Sequence, residues 1–102
     1  MEGQSLISPD ILASYAADAA REVSGVHGLA GGGSALHRHG GVKVTREDGR
    51  VAVELHLVLD WDASAPAVGA AVQSRVSDYL LRMADVRPDS IDVLVDEFAP
   101  PR

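Results

Sequence analysis

From Val51 to Leu59 a Val or Leu stands at every second position. Val51, Val53, Leu55, Leu57 and Leu59 fall on one side, and Ala52, Glu54, His56, Val58 and Asp60 on the other. A strict period of two predicts a strand with one buried face and one face left largely open. Val42-Lys43-Val44-Thr45 alternates in the same way. Between these two runs, Glu47-Asp48-Gly49-Arg50 carries the Asp-Gly pair of a tight hairpin turn. Near the end of the chain Ile91, Val93 and Val95 alternate with Asp92, Leu94 and Asp96, which predicts a third strand.

Two stretches follow a helical period instead. Ser8-Pro9-Asp10 is a helix start: Ser8 can cap free backbone N–H groups, Pro9 suits the first helical position and Asp10 complements the dipole. Ile11, Leu12, Tyr15, Ala16, Ala19, Ala20 and Val23 then form one stripe, with Ser24-Gly25 as its stop. The stripe is rich in Ala, so this helix can approach its neighbour closely. The second helix begins at Ser64 after the turn Trp61-Asp62-Ala63. Its stripe is Val68, Val72, Val76, Tyr79, Leu80 and Met83, and the segment Asp85 to Ser90, with Pro88, closes it.

The predicted order is α-β-β-α-β. The helix between the second and third strands is a crossover, so those two strands are parallel if adjacent. The fold class is α+β, a two-layer sandwich with a three-stranded sheet and both helices on one face. Its other face carries Ala52, Glu54, His56, Val58, Asp92, Leu94 and Asp96. Residues 28–41 hold six Gly in 14 positions, show no periodicity and contain His37 and His39, which predicts a mobile Gly/His loop. Residues 1–102 are read as one domain.

Composition sharpens this picture. Aromatic residues are 4% of the chain, so the core must be built from Val, Leu, Ile and Ala. The absence of cysteine excludes disulfides, thiolate metal ligands and a cysteine nucleophile. No apolar run approaches the ~20 residues that cross a bilayer. The start, Met1-Glu2-Gly3-Gln4-Ser5, lacks the basic and apolar regions of a signal peptide. Both features point to a cytoplasmic protein without direct membrane insertion. The net charge is −6, and the bases are eight Arg and one Lys scattered along the sequence. Nucleic-acid binders cluster their cations to displace counterions from phosphates, so this distribution disfavours nucleic acid.

Motifs of chemistry are few. Gly31-Gly32-Gly33 lacks the Lys and following helix of a phosphate loop. Gly25-Val26-His27-Gly28 matches the Gly-x-x-Gly of KH domains, which makes a KH-like RNA-binding module the alternative reading. His27, His37 and His39 are potential metal ligands, but a structural site needs about four donors and none are spaced to complete one. Asp60 and Asp62 flank Trp61 where acids also serve turns and helix entries. No catalytic, cofactor or metal site is assigned. Asp89, Asp92, Asp96 and Glu97 form a negative end suited to a basic partner segment. The candidate interface is the open sheet face, at His56, Val58, Leu94, Asp92 and Asp96.

These residues also carry a resemblance. Ile7-Ser8-Pro9-Asp10-Ile11-Leu12-Ala13, Ala16, Ala19-Ala20-Arg21-Glu22-Val23 and Gly25-Val26 resemble the amino-terminal motif of the alkaline shock protein family of bacterial envelope-stress proteins. Val42-Lys43-Val44 and Val51 to Leu59 are similar to its hairpin. Pro66, Val68, Val72-Gln73, Val76 and Ile91 to Val95 are similar to its second helix and last strand. Tyr15 stands in place of an Ile, Trp61-Asp62 in place of Tyr-Gly, and Ala65 in place of an Ile. The long charged tail of many members is missing. The resemblance implies a non-enzymatic protein without cofactors that self-associates. It also implies that the protein gathers at the inner face of the membrane through a membrane-anchored partner.

Overall fold

The computed structural model describes residues 7–31 and 40–101. Its elements are α1 (Pro9–Arg21), β1 (Val26–Leu29), β2 (Val42–Glu47), β3 (Arg50–Leu59), α2 (Ala65–Ala84) and β4 (Ser90–Phe98). The order is therefore α-β-β-β-α-β with a four-stranded sheet. The α+β class stands, and the expected three-stranded sheet is corrected by one strand. The extra strand, β1, begins at Val26 and runs into the first two residues, Gly28 and Leu29, of the segment expected to be a loop.

Both helix starts follow the sequence chemistry. The Ser8 hydroxyl accepts from the Ile11 N–H at 3.2 Å, and the Ser64 hydroxyl accepts from the Ala67 N–H at 3.3 Å. On α1 the buried residues are Leu12, Ala13, Ala16, Ala17, Ala19 and Ala20. Ile11, expected in the stripe, is 46% exposed, so the buried face is turned toward Ala13 and Ala17. On α2 the buried residues are Val68, Val72, Val76 and Leu80, one per turn, whereas Met83 is exposed. The helices meet through an edge-to-face pair of Tyr15 and Tyr79, ring centroids 5.9 Å apart. Arg75 Nη1 on α2 also donates to Glu22 Oε1 just after α1, at 2.8 Å.

β3 is the centre of the sheet. Among the described residues the eight largest fully buried side chains include four from this strand, Val53, Leu55, Leu57 and Leu59. At roughly 1.5–3 kcal/mol each, they contribute about as much as the whole net stability of a small domain. β4 runs parallel to β3 along one edge, as the crossover requires. β1 and β2 share the other edge, both antiparallel and end to end: β1 faces Leu57 to Leu59, and β2 faces Arg50 to Leu55.

Between β1 and β2 the chain leaves and rejoins the ladder at one residue. The Ala30 N–H donates to the His56 carbonyl at 2.9 Å, and the His56 N–H donates to the Gly41 carbonyl at 2.7 Å. The segment from Ala30 to Gly41 is thus an insertion into one long edge. The expected loop at 28–41 is corrected at its start: Gly28 and Leu29 are strand residues. His37 and His39 lie outside the described residues.

Two turns need particular backbone. Asp48 (φ 50°) and Gly49 (φ 78°) make the two-residue hairpin turn, and Glu47 pairs with Arg50. Gly41 (φ 84°) closes the insertion. A Cβ there would lie 2.5 Å from the Ala30 carbonyl oxygen and 2.9 Å from that of His56, both main-chain atoms that cannot yield. Gly28 has open space where its Cβ would stand. We expect Gly41→Ala to cost about 2–4 kcal/mol in urea unfolding, because positive φ and backbone overlap act together. Gly28→Ala should stay within about 1 kcal/mol of the parent. Equal costs for the two would show that the insertion does not close at Gly41.

Candidate functional site: the open face of the sheet

The helices cover the face that carries Val51, Val53, Leu55, Leu57 and Leu59. The alternate residues of β3 stand on the opposite, uncovered face. Cross-strand register sets their neighbours: Lys43, Glu54 and Asp92 form one row, His56 and Leu94 the next, and Val58 and Glu97 the third. The sequence-predicted interface residues His56, Val58, Asp92 and Leu94 are therefore brought together. Leu94 is 41% exposed and Asp92 is exposed.

Asp96 joins them through an irregularity. Leu57 pairs with Val95 but Val58 pairs with Glu97, so Asp96 is an extra residue in β4. The bulge aims its carboxylate at His56. Asp96 Oδ1 and Oδ2 lie 3.0 and 3.1 Å from His56 Nδ1, and Glu54 Oε2 lies 2.8 Å from Nε2. Both ring nitrogens face carboxylates, so the arrangement is complete only when both carry a proton. The hydrogen bond to Glu54, then that to Asp96, raise the His56 pKa above its ordinary value. The two carboxylates sit on opposite sides of the ring and share no point where a metal ion could meet all three groups. Among the described residues, no three His, Asp or Glu side chains are grouped to hold a metal ion.

The other residues singled out by sequence have local roles. Asp89 is a latch between strands: its carboxylate accepts from the Val51 N–H at 2.7 Å, and its own N–H donates to the Val51 carbonyl at 2.7 Å. It leaves the expected negative end to Asp92, Asp96 and Glu97. His27, on β1, places Nδ1 3.3 Å from Asp60 Oδ1. Asp62 is exposed beside Trp61, which is itself 60% exposed. Gly25-Val26-His27-Gly28 is a turn running into β1, not a loop between two helices. Gln73 on α2 donates to the Ile91 carbonyl of the edge strand β4 at 2.9 Å, which occupies a main-chain acceptor on that strand.

Sequence reasoning missed two features. Glu54 was placed on the open face, but its bond to His56 depends on side-chain reach within one strand. Arg46, Arg82 and Arg87, scattered in sequence, line one cleft with Met83. Arg82 and Arg87 are five residues apart, but Arg46 joins them only through the fold, so no linear signal marks the cluster.

The sequence matches the alkaline shock protein 23 family, described by a cell envelope-related function, over residues 1–99. The chain belongs to that family. It is also 29% identical over 99 residues to the uncharacterized protein YqhY of Bacillus subtilis (strain 168), covering 89% of this chain and 73% of that protein. No solved structure matches. Among the described residues, no helix is long and apolar enough to cross a membrane.

The His56 cluster makes a pH prediction. A histidine whose folded-state pKa is raised stabilises the fold fully below its unfolded value near 6.5, and that contribution is lost as pH rises through the folded value. Unfolding free energy measured from pH 6 upward should therefore fall across this window. His56→Gln should flatten the fall. An NMR titration of His56 with its midpoint at or below 6.5 would contradict the charge cluster.

Proposed function

We propose that the protein is a non-enzymatic binding module of the cell envelope stress response. It docks the open face of its sheet onto a basic, partly apolar segment of a membrane-anchored partner. Through that partner it resides in the cytoplasm at the inner face of the membrane, and it also self-associates. The observation that carries the docking reading is the bare face itself. Two helices cover one side of the sheet, while Val58 and Leu94 stand on the other, flanked by Glu54, Asp92, Asp96 and Glu97. Exposed Leu94 and half-buried Val58, framed mostly by acidic groups with Lys43 in the outer row, suit a segment with apolar anchors and mainly positive charge. Membership of a family with cell envelope-related function supplies the setting.

The RNA-binding alternative has less support. Its motif lies in a turn and a strand, and the open face is acidic, where phosphates would be repelled.

A peptide of alternating Lys and Leu tests the proposal by NMR titration of the whole chain. Shift changes should gather on His56, Val58, Asp92, Leu94 and Asp96. Asp92→Lys with Asp96→Lys should weaken binding roughly tenfold or more, since reversed charges face a cationic ligand. Perturbations confined to the helices, or tighter binding of single-stranded poly(U) than of the peptide at low salt, would reject it.

A further inference from the structure

The chain carries two clefts at opposite ends of β3, and their chemistry is complementary. At the hairpin end, Arg46 from β2, Arg82 from the last turn of α2 and Arg87 from the α2–β4 connection line a cleft of about 620 Å³. Three of nine basic residues thus converge in a chain of net charge −6. Among the described residues, none of the three makes an ion pair or hydrogen bond, and Asp85 is the one acid in the lining. Met83, 50% exposed, lines the same cleft and offers an apolar contact. Unpaired guanidinium groups around an apolar side chain are a seat for an acidic ligand with an aromatic or aliphatic anchor.

Asp60-Trp61-Asp62 supplies such a ligand at the other end of the strand. Trp61 is 60% exposed and is the largest apolar side chain left uncovered. It stands between two carboxylates beside Pro100 and Pro101. Asp60 is engaged by His27, whereas Asp62 is exposed and forms no ion pair among the described residues. An indole can lie against a methionine sulfur and a guanidinium plane while its flanking carboxylate meets a second guanidinium.

The two clefts cannot meet within one molecule. Ten residues of β3 separate them, about 30 Å at the rise of a strand. We infer that the Asp60-Trp61-Asp62 corner of one copy docks in the Arg46/Arg82/Arg87 cleft of the next. Such a contact is heterologous, head to tail, so it propagates from copy to copy unless it closes into a ring. Each cleft is small against the ~800 Å² per partner of a standard stable interface. The contact is therefore weak, and salt screens it. This inference rests on the self-association in the proposed function and assigns it to surfaces distinct from the open face.

Two full-length variants test it by sedimentation velocity over a concentration series. One carries Trp61→Ala with Asp62→Ala and has a disabled corner; the other carries Arg82→Ala with Arg87→Ala and has a disabled cleft. All four side chains are exposed, so both variants should fold, as dispersed amide NMR spectra will show. The parent should assemble beyond a dimer, with its dissociation constant rising tenfold or more from 50 to 500 mM salt, a range over which the screening length shortens severalfold. Each variant alone should be monomeric. An equimolar mixture should form one heterodimer and nothing larger, because one intact cleft and one intact corner remain. Association of either variant like the parent, or a mixture of folded variants that stays monomeric, overturns the assignment while leaving self-association by other surfaces. A parent that is monomeric throughout overturns both.

Discussion

β3 is hydrogen-bonded along both edges, and the rest of the molecule is arranged by that fact. On one side it pairs with the parallel strand β4 from Ala52 to Leu59. On the other it pairs first with β2 and then with β1. Among the described residues its inward side chains supply half of the large, fully buried ones, and α1 and α2 close over them. Its outward side chains define the only broad surface that the helices do not cover among the described residues. The same strand therefore sets the stability of the fold and the composition of its candidate interface. Its ends place the aromatic corner and the arginine cleft about 30 Å apart.

The strand periodicities were legible because they are local. Val51 to Leu59 has one buried residue in every two, and the structure reproduces that pattern residue by residue. The caps at Ser8 and Ser64 were legible for the same reason, since each bond spans three residues. β1 was not. Val26-His27-Gly28-Leu29 is short, contains Gly and has no alternation, and its pairing shifts register between Val26 and Gly28. The C-terminal half of β3 turns this segment into a strand by offering an otherwise empty edge. The tilt of α1 was also hidden: Ala is too small to declare a face by hydrophobicity, and close packing buried Ala13 and Ala17 while leaving Ile11 exposed.

The site divides along the same line. His56, Val58, Asp92 and Leu94 were placed on one face by period alone. The link from His56 to Asp96 spans 40 residues and needs the bulge in β4, which no local signal marks. The cationic cleft depends on three separate elements converging. What results is a molecule with a largely acidic sheet face at one place and a basic cleft at another. Family membership ties the chain to a cell envelope-related function. The molecular reading rests on these surfaces.

Closure of both edges of β3 along its full length, in spite of the insertion at His56, is the central structural claim. Amide hydrogen exchange tests it directly. The His56 N–H, held by the Gly41 carbonyl, and the Asp60 N–H, held by the Gly25 carbonyl, should exchange only with global unfolding, as should Val53 and Leu55. Exchange of His56 and Asp60 at the rate of exposed loop amides, with Val53 still protected, would show that β1 does not complete the edge and would contradict the account.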